Sequence, residues 1–152
     1  MLAIDPAFEQ RTRDSFARQP AMLTLGVTLQ SVAPGRVVLA MAYREALTQQ
    51  YGFMHGGIVA AGLDGACGYA AFSLMPADAA VLTVEFKVNL LAPARGPLFR
   101  FEGVVVKPGR SISVVDARAT QHDAQGGEAK LIATMTATIM TLQGRDALKH
   151  LN

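Results

Sequence analysis

The stretch YGFMHGGIVAAGLDGACGYAAFSLM, residues 51–75, decides how the rest of the chain is read. It opens on a glycine-rich turn, His55-Gly56-Gly57. It then runs as an almost unbroken apolar segment to Met75, where Pro76 stops a helix. One charge interrupts it, Asp64. An unpaired carboxylate is expensive to bury, so Asp64 needs a partner or a task. The other reading these residues allow is a core helix that tolerates one acid. Small residues crowd the segment, among them Gly57, Gly62, Gly65, Ala66 and Gly68. Each glycine costs a helix interior about 1 kcal/mol against alanine, so several together predict that other backbones approach closely. About 20 apolar residues would also cross a bilayer. A central Asp opposes that by roughly 3 kcal/mol, and the segments that follow read as soluble strands, so no membrane span is expected.

Downstream, the period changes to two. In VLTVEFKVNL (81–90), Leu82, Val84, Phe86, Val88 and Leu90 alternate with Thr83, Glu85, Lys87 and Asn89, the pattern of a half-buried strand. Further strands are expected over 98–106, 111–121 and 129–142. In the last of these, Leu131, Ala133, Met135, Ala137 and Ile139 are expected to point inward. Turns fall at 94–97 and at Lys107-Pro108-Gly109-Arg110, and a polar loop at 123–127. Upstream, Pro34-Gly35 separates two strands, 25–33 and 36–44, and a loop over 45–54 carries Gln49 and Gln50. Asp5-Pro6 starts a helix over 7–18, which Pro20 ends. The expected organisation is an N-terminal cover helix (1–20), one α+β domain (21–142) and a polar, frayed tail (143–152). In that domain an antiparallel sheet wraps over one long helix.

The 152 residues suit a single domain with a sizeable core. Hydrophobic residues make up 51% and charged residues 17%, so a good part of the surface is expected to be buried between copies. A net charge of +2 argues against a nucleic-acid partner. Cys67 is the single cysteine, which excludes an internal disulfide and fits a reducing compartment. The N-terminus carries acids early and lacks the basic and apolar regions of a signal peptide, so the cytoplasm is the expected location. The scattered histidines and the lone cysteine have no ligand spacing, and neither a metal nor another cofactor is expected.

His55-Gly56-Gly57, with Leu63-Asp64 further along the helix and VEFKVNLLAPA on the next strand, resembles the hotdog-fold acyl-CoA thioesterases. The resemblance is closest to the PaaI-like (phenylacetic-acid-degradation) branch, over roughly residues 20–142. It implies a hotdog fold, an acyl-CoA substrate, and homodimers or homotetramers whose protomers join sheets edge to edge, with the active sites at that interface.

Thioester hydrolysis needs a nucleophile, water or carboxylate, and a stabiliser for the oxyanion. Gly56 and Gly57 open the helix, where amides lack internal partners and carry the positive end of the dipole. One such donor contributes about 2.7–4 kcal/mol to a tetrahedral transition state. Asp64 is the candidate base or nucleophile. Eight residues of helix separate Gly56 from Asp64 by roughly 12 Å, too far for one thioester carbon to touch both. Two antiparallel helices in a dimer answer this, and the resemblance implies that pairing. By matching, Gln49 occupies the position where the family usually has Asn, and Thr83 the position of a Ser or Thr near the acid. His55 is a weaker candidate base, since a His here more often orders the loop or caps the helix. Cys67 reads as a core thiol. Lys107 and Arg110, on the Gly109 turn, are candidates for the phosphates of coenzyme A. The alternatives are a hydratase on the same fold and a non-catalytic acyl-CoA-binding protein. The first uses a different Asp–His motif, not found here, and Asp64 argues against the second.

Overall fold

The computed structural model describes residues 1–123 and 129–143. The loop expected at 123–127 and the expected tail fall almost wholly outside these. The elements in chain order are α1 (Phe8–Ala17), α2 (Pro20–Leu25), β1 (Val27–Ala33), β2 (Arg36–Ala42), a 3-10 turn (Glu45–Leu47), α3 (Gly56–Phe72), β3 (Ala80–Leu90), β4 (Leu98–Lys107), β5 (Ile112–His122) and β6 (Lys130–Leu142). The six strands form one sheet in the order β1-β2-β4-β5-β6-β3, antiparallel throughout, wrapped over α3. This is the hotdog architecture that the resemblance implied.

The sheet can wrap closely because its inner face is built from small residues under the helix. Ala117, Ala119, Ala133 and Ala137 are buried there, with Phe99 and Phe101 filling the larger gaps. Gly103 marks the closest approach: a Cβ at that position would lie 2.4 Å from the carbonyl oxygen of Ala66. On the facing side of α3, Leu63, Ala66, Cys67 and Ala70 are fully buried. The helix glycines do not make the close backbone approach expected of them: Gly62 faces the Phe101 ring, Gly65 faces Leu39 and Met22, and a Cβ on Gly68 would meet nothing within 4 Å, so the close approach is made at Ala66, opposite Gly103.

Several boundaries differ from the sequence reading. Pro20 does not merely end a helix; it starts α2, occupying the first helical position, where its missing N–H costs nothing. Residues 25 and 26 therefore close α2, with Gly26 at φ 71° as its left-handed cap, and β1 begins only at Val27. The central helix ends at Phe72, before Pro76: Ser73 caps it with its hydroxyl bonded back to Ala70 O at 2.7 Å, and the next N–H groups, of Leu74 and Met75, bond only three residues back, to Ala71 O and Phe72 O. In β6 the buried residue is Ile132 and not Leu131: the register against β5 shifts between Ala119 and Thr120, where the ladder passes from Ala133 to Leu131.

α1 is tied to the far end of α3 by Arg11. Its Nη2 donates to the carbonyl oxygens of Phe72 (3.2 Å) and Met75 (2.8 Å), and its guanidinium lies 4.2 Å from the centre of the Phe72 ring. A cation at the negative end of the helix dipole is favourable. Asp5 Oδ2 accepts from Arg11 Nε at 2.7 Å. The Ala7 N–H and then the Arg11 guanidinium hold the Asp5 carboxyl below its usual range.

Two strands form the sheet's edges. β1 carries a register shift between Leu29 and Ser31 and exposes Thr28, Gln30 and Ser31. β3 is different. Leu82 (42%), Val84 (51%), Phe86 (43%) and Leu90 (56%) are all exposed on it. The residues expected to share one half-buried face do not: the register shifts between Thr83 and Glu85, so Leu82 lies opposite Met140 whereas Phe86 and Leu90 lie opposite the buried Ala137 and Ala133, and all but the half-buried Val88 are open to solvent in the single chain.

Candidate active site

The N-terminus of α3 is set by His55. Its Nδ1 accepts from the Gly57 N–H at 2.9 Å, the bond of an N-cap residue, and this fixes where the helix begins. The capping role weighed for His55 is the one observed. It also separates the two glycines. Gly57 is exposed and spends its amide on His55, whereas Gly56 lines a groove of about 370 Å³ with Gln49, Phe53, Met54, Leu90 and Ile132. A Cβ on Gly56 would meet Leu90 Cδ1 at 2.5 Å, so a side chain here would push into the groove wall.

Gln49 reaches the same groove from the preceding loop. That loop is held as a small hairpin by an isolated bridge between Thr48 and Met54, and the Tyr43 hydroxyl donates to Gly52 O at 2.9 Å. Gln49 Oε1 accepts from the Tyr51 N–H. The side chain therefore folds back on its own loop. Arg95, which sequence reasoning did not single out, lies at this end as well, its guanidinium 5.7 Å from the centre of the Phe53 ring.

Asp64 and Thr83 meet directly: Thr83 Oγ1 donates to Asp64 Oδ1 at 2.7 Å, and both side chains line a hollow of about 290 Å³ with Gln19, Gly65, Gly68 and Tyr69. Strict alternation along β3 assigns Thr83 to the polar, outward face. A register shift between Thr83 and Glu85 changes that. On the N-terminal side of the shift, Thr83 is opposite Ile139. On the C-terminal side, Phe86, Val88 and Leu90 are opposite Ala137, Met135 and Ala133. Cross-strand partners share a face, and Ile139, Ala137, Met135 and Ala133 are all buried. The bulge thus turns Thr83 onto the inner face, toward α3. Asp64 is half-buried and has no salt bridge among the described residues.

Cys67 lies one turn after Asp64 but is buried in the core. Its thiol is pushed up to about 12 by burial, then by the carboxylates of Asp64 and Asp116. It stays a thiol at neutral pH and is no nucleophile. Burial likewise raises the Tyr69 hydroxyl.

Within one chain, Gly56 and Asp64 line separate hollows. Both open along β3, Leu90 walling the first and Thr83 the second. Lys107 and Arg110 are exposed at the β4–β5 turn. Gly109 and Arg110 line a further hollow with Leu74, Met75 and Pro76, at the C-terminal end of α3. The seventeen residues from Gly56 to Phe72 make that about 24 Å along the helix from the Gly56 groove, so the chain does not bring the basic turn to it. Among the described residues no three His, Cys, Asp or Glu side chains are grouped to hold a metal ion, and no helix is long and apolar enough to cross a membrane.

The model of the thioesterase superfamily matches residues 51–127, which run from the Gln49 loop's end through α3, β3, β4 and β5. A thioesterase family protein from Silicibacter pomeroyi has a solved structure that superposes with a TM-score of 0.86. It is 60% identical, covering 89% of this chain and 98% of that one. A Saccharolobus solfataricus protein, named only provisionally as an esterase, is 35% identical over 68% of this chain and 73% of its own length. The 1,4-dihydroxy-2-naphthoyl-CoA hydrolase of Listeria monocytogenes is 26% identical over 65% of this chain and 80% of its own. In sequence as well as in fold, this chain belongs to the thioesterase superfamily.

Proposed function

We propose that the protein hydrolyses an acyl-CoA thioester to the free acid and coenzyme A, in sites that two copies build together. The observation that carries this is the bonded Asp64–Thr83 pair in one hollow and the Gly56 groove in another, both open along the exposed apolar strand β3. If two copies pair across β3 with their α3 helices antiparallel, Gly56 of one comes opposite Asp64 of the other.

In such a site Asp64 takes a proton from water as the oxygen attacks the thioester carbon. The carbonyl π-pair moves onto oxygen, where the Gly56 N–H donates to it. The tetrahedral intermediate collapses, the C–S bond breaks, and the proton held by Asp64 passes to the departing thiolate. In the covalent variant Asp64 itself attacks, and water then hydrolyses the mixed anhydride. Thr83 orients the carboxylate through its hydroxyl, leaving Oδ2 for the water. Gln49 holds the thioester carbonyl or the water, which requires its amide to swing away from the Tyr51 N–H. His55 acts as the helix cap, and Gly57 through that cap. Lys107 and Arg110, on the Gly109 turn, take the nucleotide phosphates. They would do so from the partner copy, whose α3 ends about 12 Å beyond its Asp64. A reduced cytosol suits the free thiol of Cys67, and we assign the protein there.

The test is a panel of acyl-CoA esters with a thiol-trapping dye, run on the wild type and on Asp64→Asn. Release of free CoA by the wild type, lost in the variant, supports the reading. Tight binding of the esters without thiol release by either would make the protein an acyl-CoA carrier.

A further inference from the structure

The hollow at the C-terminal end of α3 belongs to neither half of the proposed active site. It holds about 480 Å³, more than the Gly56 groove or the hollow beside Asp64, and lies within the size range of small-molecule sites, about 300–1,000 Å³. Leu74 and Met75 line it just beyond α3, Leu2 and Ile4 from the chain ahead of α1, and Arg110 from the β4–β5 turn. Leu2 and Ile4 are 93% and 71% exposed, so apolar side chains stand in water around an apolar hollow with nothing to cover them. Arg110 is exposed too, and no carboxylate among the described residues pairs with it. No acidic residue lines the hollow. The turn that carries Arg110 is held in place. The Gly109 N–H donates to Ser113 Oγ at 3.2 Å, and a Cβ on Gly109 would run into the Ile112 carbonyl oxygen. At this end of α3 the Phe72 and Met75 carbonyls are bonded to Arg11 and the Ala70 carbonyl to Ser73, which blunts the repulsion a bare helix end would exert on an anion.

We infer that this hollow is a binding site for an apolar monocarboxylic acid, whose chain covers Leu2, Ile4, Leu74 and Met75 and whose carboxylate pairs with Arg110. The chemistry of the walls selects that class. The apolar side chains favour a hydrocarbon body, and the one cation favours an anionic head. A single guanidinium matches a single carboxylate, two N–H groups to two oxygens. A doubly charged phosphate head calls for a second cation, and Lys107, on the same turn, does not line the hollow. The inference goes beyond the thioesterase reading and does not depend on it. Arg110 would meet either the acid or the nucleotide phosphates proposed for it, one at a time.

Calorimetry tests the site with decanoate, below its micelle concentration, against hexanoate and decanol. Decanoate should bind saturably to the wild type. Hexanoate should bind on the order of a hundredfold more weakly, because each buried methylene contributes about fourfold. Decanol has the same chain without the charge and should bind about tenfold more weakly than decanoate. Arg110→Gln should bring decanoate to the level of decanol. Leu2→Ser combined with Ile4→Ser should weaken decanoate and decanol alike. Both side chains are largely exposed, so this variant should keep its fold, which circular dichroism checks. Decanol binding as tightly as decanoate would overturn the carboxylate's pairing with Arg110. Decanoate binding unchanged in the Leu2–Ile4 variant would place the acid elsewhere and overturn the site, as would the absence of saturable binding. These readings involve no thioester, so failure here leaves the proposed function standing, and failure of that function leaves this site.

Discussion

At the scale of single residues, Asp64 and Cys67 share a helix and meet opposite fates because one turn separates a hollow from the core. Asp64 is half-buried with one partner, Thr83, so replacing it should cost little stability. Asp64→Asn keeps the shape and removes the basicity. We expect kcat to fall by a factor on the order of 10² or more, with a melting temperature close to wild type. Near-full activity in the variant would remove Asp64 from the mechanism. Single-turnover reactions in labelled water separate the two routes, since only a nucleophilic carboxylate acquires solvent oxygen. Cys67 gives a stability prediction with a definite sign. Its pKa rises from 9.0 to about 12 in the folded chain, so the unfolded chain releases this proton first. The stabilisation is intact below pH 9 and is lost as pH rises toward 12, at a slope of up to about 1.4 kcal/mol per pH unit. Denaturant titrations at pH 8 and pH 10 should therefore show a steeper alkaline loss for the wild type than for Cys67→Ala. Parallel losses would mean the thiol titrates normally.

At the scale of elements, the long helix and the four strands after it were legible because each has a clean period and a clear stop. What was not legible came from events of a single residue. A bulge between Thr83 and Glu85 leaves the composition of β3 unchanged but turns Thr83 inward, and alternation counted from either end cannot locate it. The same holds for Ile132 in β6. Pro20 was ambiguous because proline both ends one helix and suits the first position of the next. Asp64 and Gly56 were singled out by motif and spacing and Thr83 by the resemblance, and the structure bonds Thr83 to Asp64. Gln19 and Arg95 were not, since only folding brings Gln19, from a helix cap, to the hollow beside Asp64, and Arg95, from a turn, over the Phe53 ring. The helix–sheet spacing can be tested where it is tightest. Gly103→Ala would place a methyl 2.4 Å from the Ala66 carbonyl oxygen, and backbone cannot swing aside as a side chain can. We expect a loss of about 1–3 kcal/mol, measured by denaturant titration, and a lower melting temperature. No change would mean that α3 has slack against the sheet.

At the scale of the whole molecule, the exposed residues of β3 are the chain's clearest request for a partner. Phe86 lies midway between Thr83 and Leu90, the β3 residues that wall the two hollows. Sedimentation should give a dimer or a larger even assembly. Phe86→Glu should release folded monomers, judged by circular dichroism, with activity lost; an active monomer would end the shared-site model. Mixing tests the sharing itself. Asp64→Asn and Gly56→Val are each expected to be inactive. Heterodimers from the two contain one intact site, so a one-to-one mixture that exchanges subunits should recover about a quarter of wild-type activity. No recovery would mean that both groups act within one chain. The opposite edge of the sheet bears on how far assembly can go. β1 breaks its register between Leu29 and Ser31 and shows polar side chains, so it offers a poor template for another strand. A sheet with one receptive border and one blunted border can be extended once, by a twofold copy meeting like with like, and then has nothing left to offer. The irregularity in β1 thereby caps growth: it makes the pairing a finite object and bars the head-to-tail stacking from which fibres are built.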